Sequence, residues 1–98
     1  MTKNIWEDKN AQALVEALLL VQNKEEMRSF LRDLLTEKEI QEFALRWRVA
    51  SMLSSGISYA TIVKETGMSS TTIARIQKWL TGGAGGYRLL LERQKRFV

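Results

Sequence analysis

Residues 58–80 read SYATIVKETGMSSTTIARIQKWL, and this stretch decides the fold. Two short amphipathic segments lie on either side of Gly67. Glycine adopts left-handed backbone conformations that other residues resist, so the chain can turn sharply there. Ser58 is placed to cap the first segment, and Ser69 or Ser70 to cap the second. The stretch therefore predicts two helices joined by a tight turn, which is a helix-turn-helix.

The inward-facing positions of both predicted helices are aliphatic. In the first helix they are Ile62 and Val63, and in the second they are Ile73, Ile76 and Leu80, which share one helical face. The remaining face of the second helix is therefore free for contact with another molecule.

Four hydroxyl residues, 69–72, open that second helix. The major groove of B-DNA admits an α-helix, and the N-terminal part of a recognition helix meets the base edges. Small hydroxyl side chains fit there, and capping accounts for one of Ser69 and Ser70 but not for all four. Gln77 can pair with adenine, Lys78 can contact a phosphate or guanine, and Lys64 can reach a phosphate. The predicted DNA-binding residues are Lys64, Ser69, Ser70, Thr71, Thr72, Arg75, Gln77 and Lys78.

The charge is divided unevenly along the chain. Residues 1–45 contain six Lys/Arg and nine Asp/Glu, a net charge of −3, whereas residues 46–98 contain nine and two, a net charge of +7. A basic half suits a polyanion. The alternatives are an ordinary solvated surface and a helical protein-interaction module whose basic face meets an acidic partner.

Several functions are disfavoured by composition. The chain has no His and no Cys, so the common catalytic and metal-binding combinations and any disulfide are excluded. We therefore expect no enzyme, no catalytic residue and no metal site. No apolar run is long enough to span a membrane, and the N-terminus lacks the features of a signal peptide. These features favour a cytoplasmic protein.

The helices that precede the helix-turn-helix suggest a dimer. Residues 7–22 form a predicted helix that is apolar almost all round, and such a helix needs burial on most sides. A 98-residue monomer can hardly supply it, so we predict dimerisation through this segment, with a central core helix in a monomer as the alternative. Asn23 caps a second helix, and Thr36 with Glu39 forms a capping box for a third that ends near Ser55.

A glycine-rich stretch follows the helix-turn-helix. Residues 82–86 read GGAGG, which predicts a flexible joint rather than helix. A final basic helix is predicted from Tyr87 to Phe97. The whole chain is interpreted as one domain, 1–98, with dimerisation helices in 1–56, the helix-turn-helix in 58–80 and the basic helix in 87–98.

Four sequence motifs together resemble those of a known protein family. They are Leu34-Leu35-Thr36-Glu37-Lys38-Glu39, Arg46-Trp47-Arg48-Val49, Gly56-Ile57-Ser58, and Gly67 through Thr72-Ile73-Ala74-Arg75. In order and spacing they resemble the Trp repressor family. The resemblance implies an all-α fold of five to six helices in an intertwined homodimer. It also implies transcriptional repression by two recognition helices in successive major grooves of a near-palindromic operator, about 34 Å apart, a geometry known from proteins that include the Trp repressor itself.

The same resemblance implies an effector pocket for a small-molecule co-repressor. Its residues would be Thr36, Arg46, Thr72 and Arg75. Arg75 would meet a carboxylate, and Arg46 would stack on a flat ring. Where the family has glycine and serine, however, this chain has the bulky Ile76 and Trp79. These departures disfavour tryptophan as the ligand and favour structural or DNA contacts for Arg46 and Arg75.

Overall fold

The structure, a computed structural model, describes residues 4–96 and is entirely helical there. After a single 3-10 turn at Ile5–Glu7, the helices are α1 (Lys9–Leu20), α2 (Lys24–Leu34), α3 (Glu37–Ser54), α4 (Tyr59–Thr66), α5 (Ser70–Gly82) and α6 (Gly86–Arg96). The prediction of an all-α fold is confirmed, with six helices in the described range. None of these helices is both long and apolar enough to cross a membrane.

The ends of two predicted helices were wrong. The first helix is shorter than the predicted range of 7–22. It begins after Asp8, whose side chain accepts the backbone N–H of Asn10, and it ends before Val21, which has an extended backbone. The glycine-rich stretch is shorter than predicted, because α5 continues through Gly82 and α6 begins at Gly86. The predicted end of the last helix at Phe97 lies outside the described residues.

The chain divides into two compact units, one up to Ile40 and one from Gln41 onward. In the first unit, polar side chains cap each helix start. The Asn23 side chain accepts the backbone N–H of Glu26 at 2.9 Å. Thr36 and Glu39 form the predicted capping box, with the Thr36 N–H donating to the Glu39 carboxylate at 2.9 Å and the Glu39 N–H donating to the Thr36 hydroxyl at 3.1 Å. These hydrogen bonds lower the pKa of Glu39 below its ordinary value.

Apolar side chains of the first unit stay exposed. Neither α1 nor α2 contains a buried residue. Leu19 and Leu20 are 80% and 78% exposed, and Trp6 is also largely exposed. Their sequence pattern predicted an apolar α1, and the single chain does not cover it. Burial of such side chains is favourable, yet they remain exposed in the single chain.

The second unit contains the hydrophobic core. Its buried side chains come from α3, α4 and α5, namely Val49, Ala50, Met52, Ile62, Ile73 and Ile76. Leu80 at the end of α5 and Leu91 of α6 are also buried. The predicted inner face of α5, formed by Ile73, Ile76 and Leu80, is thereby confirmed. Val63 was wrongly assigned inward: Ile62 is 0% exposed and Val63 is 38% exposed, because one helical position of about 100° separates them.

The turn between α5 and α6 depends on a glycine. The Gly83 N–H donates to the Trp79 carbonyl oxygen at 2.9 Å, and a Cβ on Gly83 would collide with that same oxygen. We expect Gly83→Ala to lower the free energy of unfolding by roughly 1–2 kcal/mol, because the loop must shift to accept the methyl group. The control is Gly86→Ala, where a Cβ meets nothing within 4 Å. Urea unfolding measures both, and equal stability of the two variants would contradict this packing.

Candidate nucleic-acid interface

Both helices of the α4–α5 pair begin with the same capping arrangement. Ser58 accepts the backbone N–H of Thr61 at 3.2 Å, and the two hydroxyl oxygens are 3.0 Å apart. Ser69 and Thr72 repeat these contacts at 3.2 Å and 3.0 Å. The Ser-x-x-Thr spacing therefore starts each helix, and the prediction of a cap at Ser69 or Ser70 resolves to Ser69.

Gly67 makes the turn between the two helices. Its φ is +74°, in the left-handed region, and its N–H donates to the Val63 carbonyl oxygen at 2.9 Å. Thr66 supports the turn, because its hydroxyl donates to the Ile62 carbonyl oxygen and accepts the Met68 N–H at 3.2 Å. The predicted tight turn is thus present at the predicted residue.

One face of α5 is exposed while the opposite face is in the core. Ile73, Ile76 and Leu80 are buried. Five of the exposed side chains of α5 follow the complementary helical spacing, and they are Ser70, Thr71, Ala74, Arg75 and Lys78. We call these five residues the α5 outer face. It presents two hydroxyls near the helix start, a methyl group, and two cations nearer the end.

Four of the predicted DNA-binding residues lie outside the α5 outer face. They are Ser69, Thr72 and Gln77, at or within α5, and Lys64 on α4. The Ser69 and Thr72 hydroxyls are engaged with each other and with the cap, so they are committed to α5 itself. Gln77 is half-buried beside the outer face. Lys64 is exposed on α4, where the neighbouring Glu65 forms an exposed ion pair with Arg48 of α3 at 3.6 Å.

Three of the four residues suggested for an effector pocket make local contacts. Thr36 caps α3 in the first unit. In the second unit, the Arg46 guanidinium carbon lies 5.8 Å from the centre of the Phe43 ring. Thr72 belongs to the α5 cap, and Arg75 lies on the α5 outer face.

An aromatic pocket was not predicted from the sequence. It is open, has a volume of about 640 Å³, and is lined by Trp47, Trp79, Ala84, Gly85, Gly86, Tyr87, Leu89 and Leu90. The Trp47 and Tyr87 rings stack with centroids 6.3 Å apart. In the sequence, Trp47 stood out only as part of the motif Arg46-Trp47-Arg48-Val49. The one sequence signal for the pocket is the glycine run, which leaves space beside these rings.

Metal-binding residues do not cluster in the part of the chain that is described. No group of three carboxylate side chains comes together there, and His and Cys are absent from the sequence. The arrangement instead presents hydroxyl groups and cations on a helix that is anchored from behind. That combination suits contact with a polyanion.

The buried and exposed faces of α5 define the class of protein, an all-helical helix-turn-helix protein. A family model for the Trp repressor protein matches residues 9–95, and the chain belongs to the Trp repressor family. The family is one of DNA-binding regulators, and its members are in general not enzymes. The resemblance inferred from the sequence motifs is thereby confirmed.

Relatives and solved structures agree with this assignment. The uncharacterized protein YerC of Bacillus subtilis (strain 168) is 39% identical over 87 residues, which cover 89% of this chain and 84% of YerC. A crystal structure of a candidate Trp repressor from Staphylococcus aureus has 35% identity and a TM-score of 0.84, covering 96% of both chains. A TrpR-like protein from Eubacterium eligens ATCC 27750 has 31% identity and a TM-score of 0.87, covering 95% of this chain and 96% of its own.

Proposed function

We propose that this chain is a sequence-specific transcriptional repressor that binds DNA as a homodimer. The single observation that carries the proposal is the α5 outer face, which is exposed along its length while Ile73, Ile76 and Leu80 anchor the helix from behind. In the proposed complex, α5 of each subunit lies in the major groove. A near-palindromic operator then places the two helices in successive grooves, about 34 Å apart.

Each part of α5 suits a different DNA contact. Ser70 and Thr71 stand at the helix start, where recognition helices meet base edges and free backbone N–H groups favour phosphate. The methyl group of Ala74 suits a thymine methyl, and Gln77 suits adenine. Arg75 suits guanine or phosphate, and Lys78 is assigned a phosphate contact. Ser69 and Thr72 contribute by holding the helix start, and Lys64 supplies a phosphate contact from α4.

Charge supports the same surface. Residues 46–98 have a net charge of +7, and neutralising phosphates releases counterions, which makes affinity depend steeply on salt. The acidic N-terminal half is unsuited to DNA but suited to a protein contact. The charge division therefore favours one DNA-binding part and one assembly part in each subunit.

Dimerisation is proposed to cover the apolar side chains of the first unit. Leu19 and Leu20 are the most exposed of these side chains, and a second copy of the chain offers a surface of matching chemistry. Exchange of the N-terminal helices between subunits is the arrangement that the family resemblance implies. The homodimer also supplies the two-fold symmetry that a near-palindromic operator requires.

A substitution in α1 tests this assembly. We expect the protein to be a dimer at micromolar concentration and Leu19→Ser to raise its dissociation constant by at least about tenfold, because a buried apolar contact is lost. The control is Asn10→Ser, an exposed polar position nine residues earlier and therefore on the opposite side of the helix. Light scattering over a concentration series gives the mass, and a monomer mass for the parent protein would contradict the dimer.

A random duplex library tests the function itself. The purified protein is incubated with the library at two salt concentrations, and bound duplexes are sequenced. The proposal predicts an enriched motif with two half-sites about one helical turn apart. Weak binding without enrichment, steeply reduced by salt, would indicate a general polyanion surface. No binding at either salt concentration would favour the protein-interaction module.

The selected duplex then allows a test of the α5 outer face. We expect Lys78→Ala to weaken binding to all sequences about equally and to reduce the slope of log affinity against log salt by about one, because one phosphate contact is lost. The control is Lys95→Ala, which removes the same charge from α6, beside Ser55 and the last residue of α3, Ser54. Fluorescence anisotropy measures both slopes. A larger change for the Lys95 variant would assign DNA binding to another face.

A further inference from the structure

We infer that this protein binds its DNA without tryptophan as co-repressor, because its own side chains hold α5 in place. The inference rests on the proposed function and concerns the regulation of that same site. The family resemblance suggests a pocket beside α5 for such a ligand. The residues present in this chain do not fit it.

The first reason is the space that a ligand would need. Ile76 stands where the family has glycine, and its side chain is 0% exposed within the core of the second unit. Its companions in that core include Val49 and Ala50 of α3 and Ile62 of α4. Protein cores are close-packed, so a ligand could enter only by displacing this branched side chain from an apolar environment.

The second reason is that two of the polar side chains suggested for ligand binding, those of Arg46 and Thr72, have partners within the chain. Arg46, suggested to stack on a ligand ring, lies 5.8 Å from the centre of the Phe43 ring. That distance is within the range of a cation–π contact. The Thr72 hydroxyl is 3.0 Å from the Ser69 hydroxyl. Arg75 is exposed on the α5 outer face and is therefore available to DNA.

The aromatic pocket does not replace the missing site. None of its lining residues is charged: its walls are Trp47, Trp79, Tyr87, two leucines, and the alanine and glycines of 84–86. An amino acid would bring a carboxylate and an ammonium group, and burying such charges without partners costs free energy. The pocket therefore offers an amino acid no pair of compensating charges.

The third reason is that α5 needs no ligand to adopt its position. The Ser69 cap, the Gly67 turn and the buried Ile73 and Ile76 fix the helix through contacts within the chain. A ligand shifts an equilibrium only by its differential affinity for two states. These contacts anchor α5 from within the chain, so its position in this structure does not depend on a co-repressor.

Two measurements on the full-length protein test the inference. Equilibrium dialysis against millimolar L-tryptophan, without DNA, is expected to show no saturable binding. Anisotropy with the selected duplex is expected to give affinities that differ by less than about twofold with and without L-tryptophan, whereas effectors typically change affinity by about 5–150-fold. Glycine at the same concentration controls for the effect of an added amino acid.

The outcomes separate this inference from the proposed function. Saturable binding of one L-tryptophan per subunit would overturn the inference, and so would DNA binding that occurs only with L-tryptophan, although that result would support the proposed function. A protein that binds no DNA under either condition would contradict the proposed function and this inference with it. Unchanged DNA affinity together with no binding in dialysis would support both.

Discussion

Replacing Ile62 with alanine is expected to lower the free energy of unfolding by about 2–5 kcal/mol. Ile62 is fully buried and is the α4 residue in a core that otherwise comes from α3 and α5. Its truncation leaves a cavity at the point where α3, α4 and α5 meet. Urea unfolding followed by circular dichroism measures the loss.

Val63→Ala is the matched control for this prediction. Val63 is adjacent in sequence, on the same helix, and 38% exposed. Its truncation removes little buried surface, and alanine has the higher helix propensity, so stability should change by no more than about 0.5 kcal/mol. If both variants lost stability equally, the assignment of Ile62 inward and Val63 outward would be wrong.

Gly67→Val is expected to cost about 3 kcal/mol of stability and to abolish sequence-selective DNA binding. The Gly67 φ of +74° is strained for any residue with a Cβ, and most of all for a β-branched one. Relief of that strain would change the angle between α4 and α5, which sets the presentation of the α5 outer face. Thermal unfolding and anisotropy with the selected duplex measure the two effects.

The control for Gly67→Val is Gly82→Ala. Gly82 is the last residue of α5 and lacks a positive φ, and a Cβ at this position would meet nothing within 4 Å. Alanine is the better helix former there, so stability should be unchanged or slightly higher. A Gly67 variant that bound the selected duplex with parental affinity would refute the role assigned to the turn.

The sequence predicted those features that short-range physics determines. Capping residues at Asn23, Thr36 and Ser58 follow from hydrogen bonds within three residues, so their positions could be identified directly. Gly67 follows from the backbone freedom of glycine. The buried stripe of α5 follows from helical periodicity, which needs no knowledge of the other helices.

Features that depend on contacts between residues distant in sequence were harder to predict. Val63 was assigned inward because both it and Ile62 are aliphatic, and only the packing of α4 decides between them. The aromatic pocket joins Trp47 of α3 with Tyr87 of α6, forty residues apart in the sequence. The contact between Arg46 and Phe43 follows from their i, i+3 spacing. The family resemblance instead implied that Arg46 stacks on the ring of a bound ligand.

The most direct test of the central claim is methylation interference on the selected duplex. Methylation of guanine N7 marks the major groove, where α5 of each subunit is proposed to lie. The proposal predicts interference in two segments centred about 10–10.5 base pairs apart, related by the symmetry of the site. Interference in one segment only, or none at positions that the selected motif requires, would contradict a dimer that reads DNA through two copies of α5.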